Sequence, residues 1–456
     1  MRVCHTIQPV FDDPNLVAFG GLPAVMRLAE QAGLHELVEQ HLTLPGTAGA
    51  NAAIKVSALI AGMVVGADSI SDMDVLRHGG MGRVFDGLRA ATTLGTHLRA
   101  YRFGHVRQLD AVASRLLIKL AGLSPILDGA DQLTFVDVDD TIRETHGYRK
   151  QGAAYGYSRV KGLNAILATI STPNAAPVIA ATRLRKGNVS SARGAARLIG
   201  DTLATLRRAT TPSLVIVRAD SAYFNHATIA AITVGGARFS ITARMNQAVT
   251  RTIATIDEAA WTTIRYPHAL HDEAQQVWIS DAEVAEVPFT AFTSRRKADH
   301  VTARLVVRRV RRLNPNAKAQ GELLPGYRYH AVFTNSTFAL VDAEACHRDH
   351  AIIEGVFADL KDGPLAHAPS GKFMANSAWL ALTAMAFNLT RAAARIASKT
   401  LGRARTSTVR RTLIQVAARI ANQARTWLLH LPRNWPWEPQ LATLYNAAFG
   451  PPAAAT

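Results

Sequence analysis

Cysteine is almost absent from this chain, with two residues in 456, Cys4 and Cys346. Neither a disulfide framework nor a four-cysteine zinc cage can be built from them, so the chain suits a reducing compartment. Acidic side chains are also scarce: 34 Asp and Glu face 51 Lys and Arg, for a formal charge of +17. No run is long enough and apolar enough for a bilayer. The best candidate, FMANSAWLALTAMAFNL from Phe373 to Leu389, is short and carries Asn376, Ser377 and Asn388, and it reads as a buried helix. The first residues, MRVCHTIQPVFDDPN, lack the basic start and apolar run of a secretory signal, so a cytoplasmic location and no membrane partner are expected. No GxxxxGK[ST] string is present, and HAIIE is not an HExxH motif, which argues against ATP-driven or zinc-protease chemistry.

What the chain does have is a core and a basic excess. Apolar residues make up 48% and charged residues 19%, too apolar for disorder and too charged for a membrane bundle. The positive charge is uneven: from Gly363 to Thr456 there are eleven Lys or Arg and one acidic residue, Glu438. Arg outnumbers Lys throughout, and its planar fork grips phosphate at two points. A polyanion is the expected partner, nucleic acid ahead of a membrane surface.

Residues 1–126 read as helices. LPAVMRLAEQAGLHELVEQHL has apolar positions at steps of three and four, and SISDMDVLRH opens with Ser71 three residues before Asp74, a candidate cap. Such helices with basic faces suit a DNA-binding region or a plain helical cap equally. At Leu133 the pattern turns to strands: TFVDVD, GLNAILATIS and APVIAATRLR, followed by a helix over Ser191–Arg208 and the strand SLVIVRAD. This predicts an α/β fold with the order of an RNase H-like catalytic core, whose first part covers 127–245. The stretch 246–324 reads as a β-rich insertion, 325–372 as the second part of the core, and 373–456 as a helical, basic C-terminal region with a frayed PPAAAT end.

Three carboxylates stand out by position. In FVDVDDT, strand alternation puts Phe135, Asp137 and Asp139 on one face and Val136, Val138 and Asp140 on the other. Asp220 ends the apolar strand SLVIVRAD. Glu354 lies on a predicted helix whose stripe also holds His347, His350, Phe357 and Lys361. Two strand-borne carboxylates and one on a later helix form a hard-oxygen set suited to Mg²⁺ or Mn²⁺. Two such cations about 3.5–4 Å apart would serve in-line displacement at a phosphodiester. Plainer readings stand beside this one: a strand-end Asp caps turns, and the Glu354 stripe could be a solvated face. Cys346, His347 and His350 lack a nearby fourth ligand for zinc. Arg295, Arg296, Arg308, Arg309, Arg311 and Arg312 make a basic cluster, read as DNA backbone contact over a solvated face.

The strings FVDVDDTIRETHGYRKQGAAYGYSRVKG, VRADSAYF, HRDHAIIEGVFADLKDGPLAHAPSGKF and NSAWLALTAMAFNL resemble the DDE-type transposases of bacterial insertion sequences, specifically the insertion-sequence thirteen-eighty group. The resemblance runs from about Phe11 to Asn388. It implies an RNase H-like fold with Asp139 of an Asp-x-Thr, Asp220 of a strand-end Asp-Ser and Glu354, followed seven residues later by Lys361, as the catalytic and metal-holding set. Related cut-and-paste transposases carry Tyr and Arg where this chain has His347 and His350. These two histidines, the adjacent Arg348, and Lys361 are assigned to phosphate. The resemblance further implies two Mg²⁺ ions, binding of terminal inverted repeats and target DNA, cleavage and strand transfer, a homodimer in the synaptic complex and action at the nucleoid. A nuclease without strand transfer, or an inactive DNA-binding descendant, is the alternative.

Overall fold

A computed structural model describes residues 7–146, 149–264, 271–272, 277–278, 282–311, 327–423 and 426–450. Cys4, the loop LNPNAKAQGELLPG, part of VWISDAEV, Arg312, the Arg311 side chain and the PPAAAT end lie outside the described residues. The chain divides into two compact units. One takes residues 127–146 and 152–358; the other takes 1–126, 147–151 and 359–456.

The first unit is built on a ten-stranded sheet. Its opening strand, Leu133–Glu144, pairs antiparallel with Lys161–Ser171, which pairs antiparallel in turn with Val178–Lys186. On its other side Leu133–Glu144 runs parallel to Leu214–Ala219, and that strand runs parallel to Arg238–Thr242. Parallel neighbours need crossovers, and the helices Ala195–Ala209 and His226–Val234 supply them. The first crossover forms because its apolar positions recur at helical spacing, and Ala195, Leu198, Ile199, Leu203 and Leu206 are all buried. The second is capped by Asn225, whose side chain accepts from the Thr228 amide. The central strands are apolar because both faces are covered: Val136, Val138, Ile216 and Val217 are at 0% exposure.

Beyond Arg238–Thr242 the same sheet continues antiparallel through Tyr327–Thr334, Val301–Arg311, Ala282–Ala291 and Thr262–Ile264. The strands Thr262–Ile264, Ala282–Ala291 and Val301–Arg311 of the 246–324 stretch therefore extend the main sheet, while His271–Asp272 and Val277–Trp278 pair with each other separately. The chain then forms the helix Leu340–Arg348, a short turn at Asp349–Ala351, and the helix Ile352–Lys361.

The other unit is largely helical, with Leu22–Gln31, Leu34–His41, Ala52–Val65, Ala91–Arg99 and Phe103–Leu123 packed with the 25-residue helix Phe373–Ala397. That last helix holds the apolar stretch noted above. Polar side chains along it bond within the protein: Asn376 bonds the Ser370 backbone, and Arg391 Nη1 donates to the Gly402 and Ala404 carbonyls. Among the described residues no helix is long and apolar enough to cross a membrane.

Two local expectations change. Ser71 caps nothing; Ser69 and Asp72 cap each other's backbone two residues earlier, and Ser71–Leu76 is a 3-10 turn. The segment expected to be helical up to Leu431 contains the hairpin Ala418–Gln423 with Thr426–His430, joined at its edge by Leu16–Val17. A strand edge offered by residues four hundred positions away overrides the weak local helix pattern, a pairing no local window can see.

Candidate active site

The site is organised as successive rungs across two parallel strands. Asp137 sits opposite Arg218 in the register of Leu133–Glu144 and Leu214–Ala219. Side chains two residues further along each strand fall on the same face, which brings Asp139 and Asp220 to the next rung. The inner rung carries opposite charges and is fully interior, with Asp137 at 0% and Arg218 at 2% exposure. Arg218 Nε and Nη2 donate to the two Asp137 carboxylate oxygens at 2.7 and 2.8 Å. Arg218 Nη1 donates to the Cys346 carbonyl at 2.7 Å, and the guanidinium lies 4.2 Å from the Phe135 ring centre. Asp137 holds this guanidinium charged in spite of its burial. Removing one member would strand the other charge, at a cost of about 3–5 kcal/mol.

The outer rung is different in kind. Among the described residues neither Asp139 nor Asp220 makes an ion pair. Burial pushes the Asp139 carboxyl up to about 6, and the neighbouring charges of Asp220 and Asp140 add to the rise against a hydrogen bond from the Asp140 amide. Burial also raises Asp220, with the Asp140 charge adding, while the Ala222 amide and His350 oppose it. The capping reading of Asp220 holds as well: its side chain accepts from the Ala222 amide at 3.0 Å. Asp140 is neutralised independently, by Arg185 at 2.8 Å, by the Tyr223 hydroxyl at 2.9 Å and by the Asn164 side-chain amide. Of three aspartates in four residues, only Asp139 is left beside Asp220 with no arginine or lysine among the described residues paired to it.

The histidines separate in role. His350 Nδ1 is 3.1 Å from Asp137 Oδ1, so facing a carboxylate it carries the proton and donates. His347 packs on the same face as the inner rung, since Ser240 is level with Arg218 in the register, and both its ring nitrogens are engaged, Nδ1 at 3.0 Å from Ser240 Oγ and Nε2 at 2.9 Å from Thr242 Oγ1. Burial, with His350 and Arg218 close by, pushes it down to about 3, so it stays neutral.

Glu354 lies in the first turn of Ile352–Lys361 and is exposed; Lys361 closes the same helix. Among the described residues no three His, Cys, Asp or Glu side chains gather closely enough to hold a metal ion, so Asp139 and Asp220 come together and Glu354 is not in one group with them. The pair itself suits a hard divalent cation: two oxygen donors, partly desolvated, each raised in proton affinity and lacking a positive partner.

Arg348 pairs with Glu344 at 3.4 Å, and Arg308 pairs with the other oxygen of that buried glutamate at 2.9 Å. Arg309 is interior at 5% exposure, bonded to Glu258 and Glu283 and stacked 4.2 Å from the Trp261 ring and 4.4 Å from the Tyr327 ring. It ties together strands of the sheet extension and offers little to a ligand. Arg296, by contrast, is 91% exposed. Sequence reasoning missed Arg218, although a signal existed: an Arg inside an otherwise apolar strand, two residues before Asp220, matches Asp137 two residues before Asp139.

Asp139 and Asp220 thus stand at neighbouring interior strands of a mixed α/β sheet with no arginine or lysine among the described residues paired to them, an arrangement able to take a hard cation. Residues 4–448 match the family described as Transposase DDE domain group 1, and the chain belongs to that family of DDE transposases. Membership makes it an enzyme of DNA transposition with DNA as its substrate. No curated protein matches the chain.

Proposed function

We propose that this chain is a cut-and-paste transposase of the insertion-sequence thirteen-eighty group, which binds terminal inverted repeats, cleaves at them and transfers the freed strand to target DNA. The observation that carries this reading is the outer rung: Asp139 and Asp220 are the two carboxylates left uncompensated where Asp137 and Asp140 are each neutralised. The strand order, three antiparallel strands followed by two parallel ones with helical crossovers, supports an RNase H-like core.

Asp139 and Asp220, with Glu354 as third ligand, would hold two Mg²⁺ ions, or Mn²⁺ in their stead. Bound there, the ions supply a lowered pKa for an attacking water or hydroxyl and countercharge for the phosphate. His350, with its Nδ1–H committed to Asp137, would donate from Nε2 to a phosphate oxygen when a bound phosphate holds a second proton on the ring. Lys361 and Arg348 add positive charge on and just before the Glu354 helix, and His347, held by Ser240 and Thr242, packs beside His350. Residues 1–126 and 373–456 would hold the DNA ends, with the exposed arginines around Arg296 on the backbone and two copies of the chain on paired ends at the nucleoid.

The test uses two terminal-repeat duplexes with Mg²⁺, an intact one to read cleavage and a precut one to read joining. The wild-type chain should give joined product, and Asp220→Asn should lose cleavage and joining while keeping end binding. Cleavage by that variant at the wild-type rate sinks the assignment. Hydrolysis without joined product by the wild-type chain would leave a nuclease instead.

A further inference from the structure

We propose that the interior Arg218–Asp137 pair is a positioning device that sets the geometry of the Asp139–Asp220 rung and docks the element leading to Glu354 against it. The inference rests on the reading of Asp139 and Asp220 as the cation-holding pair.

The argument is one of register and shared atoms. Parallel strands can slip, and a slip of one residue would turn Asp139 and Asp220 to opposite faces. The two-point bond between Arg218 and Asp137 fixes which residues face each other one rung inward, at 2.7 and 2.8 Å with both members sealed from water. The same guanidinium has a third bond to the Cys346 carbonyl at 2.7 Å, in the helix Leu340–Arg348. The same Asp137 oxygen that accepts from Arg218 Nε also accepts from His350 Nδ1 at 3.1 Å, in the turn preceding the Glu354 helix. One interior ion pair therefore joins both strands to the two segments that lead into the Glu354 helix. An apolar pair could fill the space but could not form these four directional bonds. The pair is thus more than a stability element, because interior ion pairs are matched or bettered in stability by apolar packing.

The test is divalent-ion binding by the full-length, metal-free chain, with Mn²⁺ as the probe followed by its electron spin resonance. In the double variant Asp137→Leu with Arg218→Met the fold should persist, as judged by circular dichroism and melting. Its Mn²⁺ affinity should fall about tenfold or more, as for other outer-shell supports of metal ligands. The Mn²⁺ concentration for half-maximal cleavage should rise in step, with the rate partly recovered at saturating Mn²⁺. Arg218→Lys keeps the charge but loses the fork, and should give an intermediate affinity, so it carries the test if the double variant does not fold. A folded variant of either kind with wild-type Mn²⁺ affinity overturns the proposal. Asp220→Asn is the control: if it binds Mn²⁺ like the wild type, the site reading fails, whatever the Arg218 variants do.

Discussion

Replacing Asp139 with asparagine should stabilise the metal-free protein, and the gain should depend on pH in a defined direction. The Asp139 carboxyl is raised from 3.8 to about 6 by burial and by the charges of Asp220 and Asp140. A group whose folded value exceeds its unfolded value binds its proton more tightly in the folded state. The stability it lends is complete below about 3.8 and is lost as pH rises through about 6. The shift of about two units corresponds to about 3 kcal/mol at 1.36 kcal/mol per unit, and solvent reaching this half-buried group reduces it to about 1–3 kcal/mol. Asparagine keeps the shape and cannot ionise, so the variant escapes the loss. It also relieves Asp220 of a neighbouring charge. The difference between variant and wild type should be near zero at pH 4 and full by pH 7.5, an increase in melting temperature of about 2–4 °C per kcal/mol. His347 and His97, pushed down to about 3 and about 4, drive stability the other way over part of this range, but they do so in both proteins and cancel in the difference. The assay is urea or thermal unfolding at pH steps from 4 to 8 with chelator present. Excess Mg²⁺ should then erase the variant's advantage by stabilising only the wild type, by about 2.7 kcal/mol at a hundredfold excess over the dissociation constant. A gain that is the same at pH 4 and pH 7.5, or absent at pH 7.5, would refute the account of the outer rung.

Two further outcomes follow from side chains away from that rung. Cys346 is buried and its thiol is pushed up to about 11, so in a Cys4→Ser background it should resist thiol reagents at pH 8 until the protein unfolds; rapid native labelling would contradict its packing against Arg218. Arg309→Ala should cost about 1–3 kcal/mol in unfolding free energy, less than a fully sealed pair because Glu258 remains 77% exposed, and should leave DNA affinity unchanged in a titration; a large loss of affinity with normal stability would reverse that assignment.

The sequence went far on elements whose signal is local. Alternation in FVDVDDT, the apolar run of SLVIVRAD and the helical spacing from Ala195 to Leu206 each mark an element that forms at that place. The hairpin at Ala418–His430 was not legible, because its stability comes from pairing with Leu16–Val17 and with itself rather than from its own propensity. The basic cluster around Arg308 and Arg309 reads as surface in one dimension. Its partners Glu258, Glu283 and Glu344 come from a turn, another strand and a later helix, so burial and neutralisation appear only on folding.

By itself the sequence determined the charge balance, the α/β alternation and the carboxylates able to serve phosphodiester chemistry, because composition and period are properties of the chain. Strand alternation alone could not rank Asp137, Asp139 and Asp140, three acidic residues within one strand, and only the Asp-x-Thr resemblance singled out Asp139. Only the tertiary structure decided that Arg218 neutralises the first and Arg185 the third, leaving Asp139 facing Asp220. The reason is electrostatic and long-range in sequence: a carboxylate's role is set by which charges share its low-dielectric surroundings, and those come from strands and helices folded together from distant parts of the chain.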